Sequence, residues 1–492
     1  MKASTKLFYC LIAGLAVIVS AGLTRLTDDG LGVCWTHNVL RNWEEFGFFH
    51  LHGQLVCNVG GVGIETQPDL YTGHRAFSLY PAFFCFHYLG GSTGVSIYYA
   101  LLAAIVLWSI WQLLGRTQAA FWLAMMAVVA PGYIRWQTTL DPNLAAALYG
   151  FPYCAAVVAL LQKPAWRWPH LAGLAALMLV YSAINWSTAF IHAMLCAFML
   201  VQPGISKRRF FIYTGLGILI AGAVVAISLA TRISSAKSAG LVPMLMEYGW
   251  GNVGYGLSLS THTALLRLVF VNTIGWLAVL GFLAWRSGWQ GISVRMLTSF
   301  FPLLTAGMSV LALRNYFSHH PWMSCHFMLL GLMLSAVVLK TRQPLRPALA
   351  FTPGLVWFVV ALVYGFGVLS FYQVSKQQEL ALIRFVQVNT PRSATLLVAQ
   401  DKDPELASLI NRYEFDRHYT VIPSLATAES WGTNTFVLTM TPPPGRLVTH
   451  LDNRITQDSW RRRLLAWYAR VIAHRNPGDK VEVGNDYYLY QP

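Results

Sequence analysis

Within the first 373 residues, the acids of this chain gather where a hydrophobic run ends. LFYCLIAGLAVIVSAGL (7–23) gives way at once to RLTDDG (25–30), so Asp28 and Asp29 stand side by side just past the apolar segment. Glu44, Glu45, Glu65 and Asp69 follow, whereas between Ala76 and Gln373 the chain carries only Asp141 and Glu247. A carboxylate beside hydrocarbon is costly and persists mainly where it meets water or serves a function. A second set is cationic or imidazole: His74 with Arg75, Arg135, His262, Arg267, Arg314, and His319 with His320. A carboxylate can take the proton of an attacking hydroxyl, and guanidinium forks suit phosphate oxygens. In a membrane, the pair of groups suggests chemistry on a lipid-linked phosphate.

The elements that must position these groups follow from composition. Of 492 residues, 55% are hydrophobic and 11% charged, and the mean hydropathy is +0.49. A soluble domain carries roughly twice that charge fraction, so the chain reads as an integral membrane protein of the helical type. Apolar windows place eleven spans near 7–23, 94–114, 118–132, 143–161, 169–185, 186–202, 210–230, 264–284, 297–313, 323–339 and 349–372. With the N-terminus inside, the inner loops hold Lys2 and Lys6, Arg116, Lys163 with Arg167, SKRR (206–209), Arg286 with Arg295, and KTRQPLR (340–346), and no acid. That is the positive-inside pattern. It puts 24–93, 133–142, 231–263, 314–322 and everything after 373 outside, together with the acids and the second set of cations. The net charge of +15 is accounted for by these loops and the C-terminal tail. No basic face interleaved with aromatics is present, so nucleic acid is not expected as a partner. The seven cysteines show no CxxC, and whether Cys34 and Cys57 of the first outer segment pair is open from spacing alone.

The first outer segment, 24–93, is too long for a simple loop. NVLRNWEEFGFF (38–49) has helical spacing with one aromatic face, as in a helix lying in the interface. FSLYPAFFCFHYLGG (77–91) is about half a span and reads as a second such helix, or a re-entrant one. After 373 the composition changes to a small α/β domain (374–492), with strands at ATLLVA, TFVLTM and YYLY and helices at 374–388, DPELASLINRYE and SWRRRLLAWYARVIAH.

Each candidate also has a plain structural reading. Asp28 and Asp29 sit in turn chemistry, Thr-Asp-Asp-Gly, and can cap a helix. Glu44 and Glu45 suit a solvated helix face. Asp141 precedes Pro142 at the start of a span and can cap it, or pair with Arg135. Arg267 can snorkel, and His319 and His320 can form a polar entry before Pro321. His87 and His192 read as satisfied by neighbouring helices.

The order of these elements resembles the GT-C superfamily of polyprenyl-phosphate-sugar-dependent membrane glycosyltransferases, of the aminoarabinose or mannosyl transferase type. TDDG (27–30), YTGHRAFSLYPAF (71–83) and PGYIRWQTTLDPN (131–143) look like that superfamily's acid after the first span, its lipid-phosphate element and its Arg…Asp pair. STHTALLRL (260–268) and RNYFSHHPWMSCHF (314–327) look like its later outer-side elements, and HRAF stands where the family has a proline pair. The resemblance covers residues 1–372. It implies an all-α polytopic GT-C-like domain (1–373) with interfacial helices, followed by the small α/β domain. The active site and that domain then lie on the periplasmic side of a bacterial inner membrane. It also implies an inverting displacement, with Asp28, Asp29 or Asp141 as base and His74, Arg75, Arg135, His262 and Arg267 around the lipid phosphate. Glu44, Glu45, Arg314, His319 and His320 are secondary substrate contacts in this reading. The donor is a polyprenyl-phosphate sugar and the acceptor a lipid, glycan or protein. No cofactor is required, and a divalent metal between Asp28, Asp29 and Asp141 is left open. Two other classes compete: an O-antigen ligase or polymerase, which places its largest outer loop late in the chain, and a lipid-linked sugar flippase or transporter, which calls for broken mid-membrane helices and inverted repeats.

Overall fold

The structure is a computed structural model. It describes residues 34–71, 76–128, 140, 142–184, 188–235, 277–283, 285, 321–340, 381–403, 415–424, 426, 432–442, 447–452 and 486–492.

The chain enters this structure on α1 (Cys34–Phe46). Its inward side carries Val39, Leu40 and Trp43 together with the buried polar residues Thr36, Asn38 and Asn42. Positions three and four apart share a helix face, so Glu44 and Glu45 fall on the exposed side. Gly47, at φ +91°, ends the helix in the left-handed conformation that glycine adopts without steric cost. Irregular backbone then runs to Tyr71, pinned by a short antiparallel contact between Val56 and Leu70. The aromatic face expected on 38–49 is present: the Trp43 ring lies 5.2 Å from Phe48, 5.7 Å from Tyr80 and 5.3 Å from Phe83, edge-on to each.

Residues 80–89 form α2 (Tyr80–Leu89), as short as the half-span reading requires. A tight turn leads into α3 (Ser92–Leu113). At Gly94 an added methyl would sit 1.8 Å from the Cys85 carbonyl oxygen, so only glycine lets α3 start so close to α2. The remaining helices are α4 (Gln118–Val128), α5 (Pro142–Leu161), α6 (Trp168–Ile184), α7 (Thr188–Val201), α8 (Lys207–Ser235) and α9 (Pro321–Lys340). With α3 they coincide with the spans expected at 94–114, 118–132, 143–161, 169–185, 186–202, 210–230 and 323–339. Two stretches, Thr93–Leu113 and Leu144–Leu161, are long and apolar enough to cross a membrane, judged on the described residues. The spans expected at 7–23, 297–313 and 349–372 lie outside the described residues, and that at 264–284 is described only at its helical end, 277–283.

One apolar core runs from α1 and the segment that follows it through α2–α9. Helix α5 is central, packing on α3, α6, α7 and α9, and α8 lies across α6 and α7. One nitrogen of His192 on α7 is bonded within this core, as expected: Nδ1 lies 2.8 Å from the Tyr213 hydroxyl and 3.3 Å from that of Tyr153, while the buried Nε2 has no partner among the described residues.

The C-terminal part is a five-stranded sheet: β1 (Thr395–Ala399), β2 (His418–Ile422), β3 (Thr435–Thr439), β4 (Leu447–Asp452) and β5 (Asp486–Tyr490). The order is β2-β1-β3-β5-β4. β1 runs parallel to β2 and β3, and β5 antiparallel to β3 and β4. Alternation sends Leu396, Val398, Phe436 and Leu438 to one face, against Leu382, Ile383 and Val386 of the helical stretch 381–389. Leu397, Ala399, Ile422, Val437 and Tyr490 form a second apolar cluster. The strands expected at ATLLVA, TFVLTM and YYLY are β1, β3 and β5. The edge strands β2 and β4 complete the sheet. The helices expected at DPELASLINRYE and SWRRRLLAWYARVIAH lie outside the described residues.

Candidate functional site

Two local arrangements bring distant parts of the chain together around the segment that begins with α1. The first lies at the start of α1. The Thr36 hydroxyl donates to the Leu140 carbonyl at 2.5 Å, across 104 residues. Thr36 follows Asp29 by seven residues and Leu140 adjoins Asp141, so a side chain shortly after one expected acid is bonded to the backbone beside another. The segment's other end behaves alike. Residues 76–78, directly after His74 and Arg75, pack on α5 and α6, and α5 begins at Pro142.

The second arrangement joins the segment to the C-terminal sheet domain. Its centre is Asp416, whose side chain is 3% exposed. One carboxylate oxygen accepts from Arg41 Nη1 of α1 at 2.9 Å and from Arg392 Nε at 2.8 Å. The other accepts the backbone N–H of Gly60 at 3.1 Å. Arg392 reaches further: its Nη2 donates to the Asn42 side-chain oxygen at 2.9 Å, and its Nη1 pairs with Glu45. The Asn42 amide group donates to the carbonyls of Val56 and Asn58, at 2.9 and 3.1 Å. Asn58 in turn holds Val62 and Asp69. Every polar group in this chain of contacts thus has a partner, as burial demands.

Local geometry makes the fit specific. Asp416 has φ +52°, a left-handed conformation that aspartate tolerates better than most residues. Gly60, at φ +63°, comes so close to the domain that an added methyl would lie 2.3 Å from the Arg392 carbonyl oxygen. Next to Asp416, Arg417 is buried and ties the approach to β2 back to the helical stretch 381–389. It donates to the Thr390 hydroxyl at 2.9 Å, the Thr390 carbonyl at 2.9 Å and the Gln387 carbonyl at 3.0 Å. Burial pushes its guanidinium down to about 10, with Asp416 opposing the fall and Arg41 and Arg392 adding to it. It is still a cation at neutral pH.

Of the residues singled out from the sequence, Glu44 and Glu45 are described. Glu44 lies 2.6 Å from His87 Nδ1 of α2, with both side chains substantially exposed. His87 is thereby satisfied, as expected. Glu45 belongs to the joint with the C-terminal domain. Asp28, Asp29, His74, Arg75, Arg135, Asp141, His262, Arg267, Arg314, His319 and His320 lie outside the described residues. So does the metal position considered among Asp28, Asp29 and Asp141; among the described residues no group of His, Cys, Asp or Glu is arranged to hold a metal ion. Cys57 is buried with its sulfur 3.6 Å from the Leu55 carbonyl, and the side chain of Cys34 is not described. Arg41, Arg392, Asp416 and Arg417 were not among the sequence candidates. Arg41 was legible only as a lone cation on the outer side, and Asp416 as one charge within RYEFDRHYT.

No protein-family model matches the sequence, and no curated protein does. The fold does have counterparts among solved structures. The crystal structure of ArnT from Cupriavidus metallidurans bound to undecaprenyl phosphate superposes with a TM-score of 0.54 at 12% identity, covering 89% of this chain and 93% of that one. The cryo-EM structure of the arabinofuranosyltransferase AftD from Mycobacteria gives a TM-score of 0.47 at 15% identity, over 80% of this chain and 29% of that one.

Proposed function

We propose that this chain, whose fold superposes on the solved ArnT structure over 89% of its length, is an integral membrane glycosyltransferase of the GT-C type. It moves a monosaccharide from a polyprenyl-phosphate carrier to an extracytoplasmic acceptor, whether glycolipid, polysaccharide or protein. The observation that carries this reading is the bond between Thr36 and Leu140, with residues 76–78 packed on α5. It supports the convergence of three neighbourhoods far apart in sequence: the acids 28–29, the basic pair 74–75 and Asp141. The undecaprenyl phosphate bound to ArnT has the chemistry expected of the donor's carrier here.

In this reading, Asp28, Asp29 or Asp141 takes the proton of the acceptor hydroxyl as it attacks the anomeric carbon opposite the phosphate, inverting the centre. The leaving phosphodiester oxygen needs positive charge rather than a proton, which His74, Arg75, Arg135, His262 and Arg267 supply. Arg314, His319 and His320 stand on the acceptor side. The enzyme resides in a bacterial inner membrane with its N-terminus cytoplasmic. The segment after the first span and the C-terminal domain face the periplasm together, which their contact through Asp416 supports.

The test is direct. The purified protein is incubated with a panel of radiolabelled polyprenyl-phosphate sugars and candidate acceptors. Label should pass from one donor, and alanine at the essential acid should lower turnover by about 100-fold or more, the scale of a positioned general base, without loss of folded protein. If no donor releases label, the reading is wrong. If Asp28→Ala, Asp29→Ala and Asp141→Ala all keep normal turnover, the site is misassigned.

A further inference from the structure

We propose that the C-terminal domain is a positioning element for the reaction, and that Asp416 is the positioning residue through which it fixes α1. The inference rests on the glycosyl-transfer reading above. In this role Asp416, Arg41, Arg392 and Gly60 act through α1 rather than through contact with substrate. Their effect passes along α1 to the acids that precede it.

A joint that served only to attach the domain would need no buried ion. Apolar side chains of similar volume hold two surfaces together as well or better, because a buried charge must first be stripped of water. What a carboxylate adds is direction. The two oxygens of Asp416 are met by three donors along three lines: Arg41 on α1, Gly60 on the irregular backbone, and Arg392 of its own domain. Charge-assisted bonds of this kind are short and geometrically selective. Arg392 repeats the arrangement in the other direction by reaching Asn42, next to Arg41, and Glu45, one turn further along α1. Gly60 approaches the Arg392 carbonyl so closely that no side chain fits between the two parts. Position and rotation of α1 are therefore both set from the C-terminal domain.

Helix α1 carries that setting to where it matters. Its 13 residues form a stiff rod about 20 Å long, at about 1.5 Å per residue. The middle and end of the rod, Arg41, Asn42 and Glu45, are gripped by the domain. The start of the rod is bonded through Thr36 to Leu140, beside Asp141. Asp28 and Asp29 precede that start by six and five residues in the sequence. A helix freed at Asp416 can rock on its contact with Leu140, and a shift of about 1 Å in a reacting group is enough to cost of order 100-fold in rate.

The experiment uses the full-length chain in lipid nanodiscs, with Asp416→Asn and Arg41→Ala, and reads two quantities. The first is amide hydrogen exchange of peptides covering 54–61, which reports the joint itself. The second is the kinetics of sugar transfer from the donor found active with the parent protein. Asp416→Asn should speed exchange in 54–61 and lower kcat by about tenfold or more, while the donor KM stays within about threefold, since misplacement of a reacting group acts on the chemical step. Arg41→Ala removes one of the three arms and should give the same pattern in weaker form. It also keeps the test usable if Asp416→Asn does not fold. Faster exchange with unchanged kcat in either variant overturns the positioning role, as does unchanged exchange in both. A parent protein that transfers sugar from no polyprenyl-phosphate donor refutes the function on which the role depends, and the exchange measurement then still decides whether Asp416 holds the joint.

Discussion

Replacing Gly60 by alanine tests the joint between the first segment and the C-terminal domain by steric means alone, with no change of charge. Two costs add. The residue has φ +63°, and a left-handed conformation costs an L-residue with a side chain about 1–2 kcal/mol. The new methyl would also sit 2.3 Å from the Arg392 carbonyl oxygen, and since that atom belongs to backbone the segments must move apart. Forcing a methyl into such a packed site costs about 1–3 kcal/mol. Gly63 supplies the control. Its φ is +71°, but its added methyl would find nothing nearer than the Asn58 amide nitrogen at 3.9 Å. Gly63→Ala therefore carries the conformational cost without the clash. The difference between the two variants isolates the contact with Arg392 at about 1–3 kcal/mol, or roughly 5- to 150-fold in the population of the opened joint. Cleavage within 54–67 by a low concentration of protease follows that population when opening is fast. Gly60→Ala should be cut faster than Gly63→Ala by a factor in that range. Equal cleavage of the two would show that the segment and the domain do not meet as described.

Two further outcomes follow from the same region. Glu44→Ala removes an exposed pair with His87, worth about 0.2–1 kcal/mol. Transfer activity should stay within about twofold of the parent, and a loss on the scale of the essential acids would make Glu44 part of the site after all. Burial pushes the Tyr419 phenol on β2 up to about 12 from its ordinary 10. A folded-state value above the unfolded one means that the folded form holds the proton longer, so its contribution is full below pH 10 and is lost as pH climbs to about 12. The tyrosinate absorbance that develops near the upper value should be smaller by one group in Tyr419→Phe than in the parent, and the variant's alkaline loss of stability should be shallower.

The parts of the fold legible in the sequence are those whose signal is local. Long apolar runs specify α3, α5 and their neighbours without reference to any partner. The short, aromatic α2 differs from a full span by length alone. The spacing of Val39, Leu40 and Trp43 gives the buried face of α1. β1 and β3, central and apolar throughout, also read directly. β2 and β4 did not, because an edge strand buries little: β4 is exposed or half-exposed along its length, and its sequence LVTHLD carries no continuous apolar signal. The joint was invisible for a different reason. Arg41 and Asp416 are 375 residues apart, and nothing in either neighbourhood marks a buried ion. Glu45 shows the same limit from the other side. As a helix-face acid it looked solvated, and half of it is, yet its partner is Arg392 of the far domain. Scarcity singled out Asp141, and position just past the first apolar run singled out Asp28 and Asp29. Scarcity could not single out Asp416, which lies in a domain where acids are common.

That joint also constrains how the chain crosses the bilayer. Under the membrane reading, residues 34–71 and the C-terminal domain share a polar contact surface through Asp416, and so lie on the same side. An even number of crossings must then separate position 93 from position 373. The ten spans expected from the sequence after the first would satisfy this, and losing or adding a single span would not. The basic loops agree with that expectation, since Arg116, Lys163 and Lys207 all fall on the face opposite the joint in the same count. Single cysteines test the parity at positions exposed in the structure: Glu65→Cys in the first segment, Lys402→Cys after β1, and Lys163→Cys between α5 and α6. In sealed right-side-out vesicles, a membrane-impermeant thiol reagent should label the first two above the parent's background. It should reach the third only after the vesicles are opened. Labelling of Glu65→Cys and Lys402→Cys from opposite sides would separate the two halves of the joint by a bilayer, which no ion pair spans.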